Sequence, residues 1–243
     1  MTKFKFPTEE IELPSKGLIY PKENPLSSGA VEMKYMTAKE EDILTNQNYI
    51  QNGTVLDKLL RSLIVDKKVN IDDLIVGDKN ALLVSTRILG YGSDYSFNYG
   101  GKKQSVDLTQ LTNKPIDESM YQQGINEFEY HIDTTDTTIK YKLLTGRDEK
   151  IINQEIEGIR KITPQASPEL TTRLKRMIVS VNGEENPKSI NDFVDNYFLA
   201  RDSRAFRDHI KNTQPDVDLS VTLEGGEEVN IPIGIGFFWP DFN

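Results

Sequence analysis

Apolar residues recur along this chain with two different spacings, and each spacing predicts a different kind of element. Leucine, valine and isoleucine recur at helical spacing over residues 55–64 and 78–89, which predicts two amphipathic helices. Thr37 and Glu40 have the spacing of a capping box, so a helix is predicted to begin directly after the threonine. Residues 28–112 are therefore expected to be mainly helical.

Alternating polar and apolar residues over positions 125–145 predict a β-hairpin that covers a core. Beyond it, the pattern predicts four helices within residues 145–213. The second of these is predicted over residues 167–181, with Ser167 as N-cap and Pro168 at its first position. The hairpin presents six apolar residues to the core: Phe128, Tyr130, Ile132, Ile139, Tyr141 and Leu143.

Two short stretches share one pattern: residues 98–108 read NYGGKKQSVDL and residues 222–233 read TLEGGEEVNIPI. Each places two glycines, which tolerate positive φ, between runs of β character, and this predicts a hairpin with a glycine turn. The same shape carries Cys-x-x-Cys pairs in zinc knuckles, but this chain contains no cysteine. We therefore expect two zinc-ribbon-like knuckles without metal ligands, turning at Gly100, Gly101, Gly225 and Gly226.

The N-terminal residues 1–27 contain four prolines, so no helix is expected there and an extended arm is predicted. Its apolar residues are interpreted as partner-binding anchors: Phe4, Phe6, Ile11, Leu13, Leu18, Ile19 and Tyr20. The C-terminus carries Phe237, Phe238 and Trp239, which either dock on the domain's own core or serve as a second partner anchor.

These patterns together predict an α+β fold, with a helical body, several antiparallel β-hairpins and an extended N-terminal arm. Four regions are expected. They are the arm at 1–27, a helical domain ending in a glycine hairpin at 28–112, a β-hairpin with its linking helix at 113–160, and a helical region ending in the second glycine hairpin at 161–243.

Composition narrows the classes of function. The net charge is −9, which argues against nucleic acid as the main partner because phosphate contacts need clustered cations. No apolar run is long enough for a membrane span, and no signal peptide is evident, so a cytoplasmic protein with protein partners and no membrane contact is expected.

Candidate catalytic groups are few. Adjacent carboxylates are interpreted as solvated, His131 and His209 as structural, and no phosphate-binding glycine motif is present. We therefore predict no enzyme activity, no cofactor and no metal site. Arg87 stands among apolar residues of a predicted helix. Either its charged head lies at the surface, or it pairs with Asp78 or another carboxylate to lock that helix end, and a structural role is expected in both cases.

Four segments in order resemble the baseplate-hub protein family of T-even-type contractile-tailed bacteriophages, which includes hub subunits and hub-assembly proteins. They read IELPSKGLIYP, VEMKYMTAKEEDIL, LDKLLRSLI and DKNALLVSTRILGYGSDYSF, and they cover residues 11–111 best. YKLLTGRDEK and the terminal FFWP add weaker support. In several relatives the turn tips carry cysteine pairs, whereas here they carry glycines.

The resemblance implies a structural component of the phage baseplate, at or near the hub, that contacts hub, wedge or tape-measure proteins. It implies a location in the virion tail, with the host cytoplasm as the site of assembly. A non-virion chaperone for hub or tape-measure assembly is the alternative. A tail-tip cell-wall hydrolase is disfavoured, because no acid/base pair can be placed.

Overall fold

A computed structural model of the chain describes residues 7–223 and 225–239 and has a mixed α+β fold with small antiparallel sheets. The strands are β1 (Thr8–Glu12), β2 (Ala30–Lys34), β3 (Asp94–Tyr99), β4 (Lys102–Asp107), β5 (Phe128–Ile132), β6 (Thr137–Tyr141), β7 (Ile178–Val181), β8 (Ser220–Thr222) and β9 (Glu228–Asn230). The helices are α1 (Ala38–Leu44), α2 (Gln47–Gln51), α3 (Val55–Leu63), α4 (Val76–Tyr91), α5 (Gly146–Ile162), α6 (Glu169–Met177), α7 (Pro187–Asp192), α8 (Ala200–Thr213) and α9 (Ile235–Phe238).

These elements follow a similar order twice along the chain. A first unit, residues 8–107, and a second unit, residues 128–230, each contain an antiparallel hairpin, several helices and a glycine hairpin. In each unit the chain returns, after its first helices, to the second strand of the opening hairpin. Met33 bridges Ile64 in the first unit, and Tyr141 pairs with Ile178 in the second.

The turn from each opening hairpin into its first helix is built from the same residue types. Lys34, Thr37 and Glu40 form the turn into α1, and Lys142, Thr145 and Asp148 form the turn into α5. In each case the carboxylate closes a capping box with the threonine and also accepts a hydrogen bond from the lysine, at 3.1 Å and 2.8 Å. Lys-x-x-Thr-x-x-acid is therefore a repeated device that turns a strand into a helix.

One hydrophobic cluster extends from the N-terminal hairpin to α9 and holds both units together. The backbones of the two units approach closely at Gly77, at the start of α4. A Cβ atom on this glycine would lie 1.9 Å from the carbonyl oxygen of Pro215, which follows α8. Only glycine allows this contact without a backbone shift.

The helices predicted after Thr37 and over residues 55–64 are present as α1 and α3, and α4 begins two residues before Asp78. One helix prediction is wrong at both ends. α6 begins at Glu169 with Pro168 as N-cap, so Ser167 does not cap it. Residues 178–181 form β7 instead of continuing α6, because this β-branched run pairs with β6 and completes a three-stranded sheet. The hairpin predicted over residues 125–145 is confirmed as β5 and β6.

Both predicted glycine hairpins form. Gly100 and Gly101 have φ values of 58° and 76° and make the two-residue turn between β3 and β4. The turn between β8 and β9 is longer, and Gly226 has a φ of 80° there. Gly225 lies in the same turn.

The prediction of an extended, partner-binding arm is wrong for residues 7–27. β1 pairs with β2 across the expected boundary at 27/28, and the loop between them folds back onto the core. The prolines do prevent a helix, but left-handed backbone at Lys16 and Gly17, with φ of 51° and 74°, bends the loop inward.

The proposed anchors of this segment accordingly lie inside the protein or along its own surface. Leu13, Ile19 and Tyr20 are at most 4% exposed, and Ile11 and Leu18 are half-buried. Phe4 and Phe6 lie outside the described residues. Burial of three anchors in the chain's own core leaves them unable to bind a partner.

The C-terminal aromatic residues also dock on their own core. Phe237 and Phe238 are each 1% exposed, and the ring of Phe237 lies 5.0 Å from that of Tyr95. Trp239 is half-buried with its ring 5.7 Å from Tyr91. The interpretation of Phe237 and Phe238 as partner anchors is therefore wrong, because α9 closes the core beside α4.

Candidate functional site

A fully buried carboxylate that several donors contact is that of Asp78, in the first turn of α4. It accepts hydrogen bonds from the backbone N–H of Ser15 at 2.9 Å and from the Ser15 hydroxyl at 2.6 Å. The Tyr20 hydroxyl donates to it at 2.6 Å and accepts from the N–H of Ile75 at 3.1 Å. We call Ser15, Tyr20, Ile75 and Asp78 the Asp78 clip.

The Asp78 clip fastens the β1–β2 loop to α4. Burial raises the pKa of Asp78, and the hydrogen bonds from Ser15 and Tyr20 oppose that rise. Burial, followed by the nearby Asp78 charge, raises the pKa of Tyr20 well above its usual range. Asp78 is fully buried, so its carboxylate has no access to a substrate. The hydrogen bonds to Asp78 instead hold the β1–β2 loop against α4.

Arg87 does not pair with Asp78, and the predicted ion pair is wrong. Nine helical residues separate the two positions by about 13 Å along the axis. The guanidinium instead donates to the carbonyls of Gly92 at 2.8 Å and Asp94 at 3.1 Å. It also lies over the ring of Tyr91, 5.4 Å from its centroid, so it fixes the turn from α4 into β3.

Asp202 has the corresponding position in the second unit, in the first turn of α8. Its Oδ1 accepts from the hydroxyl of Thr134, in the β5–β6 turn, at 3.0 Å. Its buried Oδ2 has no hydrogen-bond partner among the described residues. The short β5–β6 turn supplies one donor where the long β1–β2 loop supplies three.

The other two buried carboxylates are those of the repeated capping boxes. Burial acts to raise the pKa of Glu40, but hydrogen bonds from Ser62, Thr37 and Lys34 outweigh it and lower that pKa to about 2. Burial acts likewise on Asp148, and bonds from Lys142, Thr145 and Arg176 lower its pKa. Both carboxylates stay ionised and hold helix starts in place.

A cleft of about 450 Å³ lies between the two units. The charged side chains on its wall are already paired. Arg173 makes two hydrogen bonds to Glu149, at 2.7 Å and 2.6 Å, and Lys79 contacts Asp57 at 2.6 Å. The cleft therefore offers apolar surface and neutralised ion pairs instead of a free acid and base.

The two histidines lie in different environments. His209 contacts the Tyr141 hydroxyl at 3.1 Å, and burial lowers its pKa. His131 lies on the exposed side of β5, 3.1 Å from Thr138. No group of three histidine or acidic side chains suited to a metal ion occurs within residues 7–223 and 225–239. Within the same residues, no helix has the length and apolar character needed to cross a membrane.

Several apolar side chains remain on the surface. Ile162, at the end of α5, is 86% exposed, whereas Ile152 and Ile156 earlier in the same helix are buried. Tyr197 and Leu199, before α8, are 62% and 48% exposed. Sequence reasoning missed these positions, because their neighbours along the chain are ordinary helix and turn residues.

Comparison with protein-family models finds no family that matches this chain. Searches of curated proteins and of solved structures find no match either.

Proposed function

We propose that this chain is a structural component of the baseplate of a contractile-tailed phage, at or near the hub, where it holds neighbouring tail proteins. The resemblance of residues 11–111 to the baseplate-hub family suggests this role. Those segments supply most of the first unit's core and the Asp78 clip. The resemblance therefore rests on residues that stabilise the fold.

The observation that carries the proposal is how the buried carboxylates are used. Asp78, Glu40 and Asp148 are bound by several donors of the fold itself, and Asp202 lies at a helix start. A cell-wall hydrolase needs two carboxylates that face a substrate cleft with separated pKa values. The buried carboxylates with the most hydrogen bonds stabilise turns and helix starts here, which favours a structural protein over an enzyme.

Exposed apolar residues support contact with other proteins. The surface positions of Ile162, Leu170, Tyr197 and Leu199 are at least 44% exposed. Such side chains gain favourable burial when a neighbouring protein removes them from water. They replace the buried N-terminal and C-terminal anchors as the contact residues expected in the tail.

The experiment is quantitative mass spectrometry of purified phage particles and of the lysate from which they come. A structural part is expected in the particles at a constant ratio to known baseplate proteins. Presence in the lysate with absence from particles would contradict this proposal and favour the alternative, a chaperone of hub or tape-measure assembly.

We further propose that the two glycine hairpins are metal-free counterparts of the zinc knuckles found in relatives. Gly100, Gly101 and Gly226 provide positive φ at their turns, so turn geometry holds the shape without a ligand set. Elemental analysis of the purified chain should find no stoichiometric zinc. One zinc bound per chain would contradict the proposal.

A further inference from the structure

The outer face of the β1–β2 hairpin is unusually acidic. Ile11, Val31 and Met33 point to the core, so alternation along each strand turns the neighbouring residues outward. Glu10 and Glu12 of β1 are exposed on that outer face. The face is formed by Thr8, Glu10, Glu12, Ala30, Glu32 and Lys34.

Two of these carboxylates stand directly opposite each other. Glu10 pairs in register with Glu32, and Glu12 lies one step along the same face. None of the three has a cation within 4.0 Å among the described residues, since the ion pairs recorded nearby involve Lys34 and Lys16 with other acids. Like charges facing across two strands destabilise the hairpin.

In the second unit, the corresponding strand pair has opposite charges. The pair equivalent to Glu10 and Glu32 is Glu129 and Lys140, which face each other on β5 and β6. Their charged groups lie 3.8 Å apart. One unit therefore neutralises this face internally, and the other leaves three negative charges without a partner among the described residues.

β1 is also an edge strand, because it pairs only with β2 among the described residues. Leu13 donates to Gly29 and Tyr35 donates to Pro7, so the odd-numbered residues of β1 bond to β2. In an antiparallel pair, the intervening residues direct their N–H and C=O groups outward, and these are Thr8, Glu10 and Glu12. The far edge of β2 is already covered, because Val65 donates to Glu32 at 3.0 Å.

A groove of about 790 Å³ adjoins this face. Glu10 and Glu12 lie on one wall, and Lys16 and residues 113–116, which include Lys114, line other parts of the groove. The groove therefore combines open space, unpaired backbone groups and two glutamates that have no ion-pair partner among the described residues; of the lysines on its wall, Lys16 is bound to Glu118. These features fit an added strand whose side chains carry positive charge.

We propose that β1 binds an extended basic segment of a partner protein as an added strand, with lysine or arginine at alternate positions beside Glu10 and Glu12. This deepens the proposed function and rests on it, because it names the kind of tail-protein segment the chain holds. In the contrasting interpretation, the charges only keep the edge strand from pairing.

The probe is a capped eight-residue peptide of alternating lysine and valine, and its binding to the full chain is measured by fluorescence anisotropy. The variant Glu10→Gln with Glu12→Gln should bind about tenfold more weakly at low salt. The matched control is Glu155→Gln with Glu157→Gln, which removes two exposed charges from α5 and should leave affinity unchanged. Added salt should narrow the difference.

A second probe tests the strand geometry. The same peptide with N-methyl groups on alternate residues keeps its charges but cannot donate along the edge, and it should lose most of its binding. Equal binding of both peptides, or an equal effect of the α5 control variant, would overturn the proposal. The variant Glu32→Lys should weaken binding, because the new lysine would lie opposite Glu10 and neutralise its charge.

Two other segments could occupy the β1 edge: the chain's own N-terminal residues or a second copy of the chain. Each predicts a different result. If removal of residues 1–6 raises peptide affinity tenfold or more, the chain's own Lys3 and Lys5 occupy the face and the partner proposal is overturned. A dimer in analytical ultracentrifugation that dissociates with Glu10→Gln and Glu12→Gln would overturn it in favour of a second copy. A monomer supports it.

Incorporation into phage particles separates this proposal from the function on which it rests. If the peptide does not bind but the chain is found in particles, this surface is wrong and the structural role stands. If the peptide binds as described but particles lack the chain, the binding surface stands and the role in the virion is wrong.

Discussion

The two units close the loop of their first hairpin in different ways. In the first unit, a long loop brings Ser15 and Tyr20 to the buried carboxylate at the start of α4. In the second, a short turn brings only Thr134 to Asp202 at the start of α8, and one carboxylate oxygen has no partner among the described residues. The same helix-start acid therefore organises a loop in one unit and barely contacts it in the other.

The two units also differ in the surface that they leave exposed. The first unit uses its loop for its own core and leaves an acidic strand edge at Glu10 and Glu12 open. The second unit neutralises the equivalent strand pair and leaves Tyr197 and Leu199 exposed. A repeated layout has thus been used for two different surfaces, one charged and one apolar.

The largest expected effect comes from removing the acid of the Asp78 clip. Asp78→Ala leaves the donors of Ser15 and Tyr20 buried without an acceptor, and we expect a loss of about 3 to 5 kcal/mol in the free energy of unfolding. Asp202→Ala, the matched variant in the second unit, should cost only about 1 kcal/mol. Urea denaturation of both variants measures the difference. Equal losses would show that the two acids have the same role.

The second prediction concerns the backbone contact between the units. Gly77→Ala places a Cβ atom where only 1.9 Å separates it from the Pro215 carbonyl oxygen, so the backbone must shift. A loss of about 2 to 3 kcal/mol is expected. Gly158→Ala on α5 is the control, since its Cβ would meet nothing within 4 Å and should stabilise the helix by about 0.5 to 1 kcal/mol. A neutral Gly77→Ala would mean that the units are not in this contact.

Sequence patterns predict the elements of this chain better than their contacts. The capping box at Thr37, the glycine hairpins and the β5–β6 hairpin follow from spacing alone, because turns and caps are local. The loop of Ser15 and Tyr20 has the pattern of an arm, and that prediction is wrong. Its partner Asp78 lies 63 and 58 residues further along the chain, so no local pattern shows the contact.

Two signals of the correct arrangement are nevertheless present in the sequence. The spacing Lys-x-x-Thr-x-x-acid occurs at Lys34 and again at Lys142, so the amino-acid pattern alone marks the two units. The pair of Asp78 and Arg87 fails on helix geometry, since nine residues are two and a half turns and place the side chains on opposite faces.

The third prediction concerns acid stability. The folded-state pKa of Glu40, about 2, is below its ordinary value of 4.5, so its contribution is present above pH 4.5 and is lost as pH falls towards 2. Asp148, also lowered, acts with the same sign, whereas the raised pKa of Asp78 favours folding as pH falls. Glu40→Gln should flatten the loss of stability between pH 4.5 and 2, as measured by urea midpoints. An unchanged slope would contradict this assignment.

The smallest expected effect comes from copying one unit's surface into the other. Glu32→Lys gives the first hairpin the opposite-charge pair that Glu129 and Lys140 form in the second. We expect a gain of about 0.5 to 1 kcal/mol in the free energy of unfolding, reduced by salt. Lys140→Glu is the reciprocal variant and should destabilise by a similar amount. A loss on Glu32→Lys would contradict the charge argument.

The central claim is that residues 13–20 belong to the core of the first unit and not to a partner-binding arm. Hydrogen exchange of the isolated chain, resolved at single amides, tests it most directly. The Ser15 and Ile75 amides, bonded within the Asp78 clip, should exchange only on global unfolding. The amide of Leu199, the exposed residue before α8, should exchange much faster. A Ser15 amide that exchanges as fast as in an unstructured peptide would contradict the account.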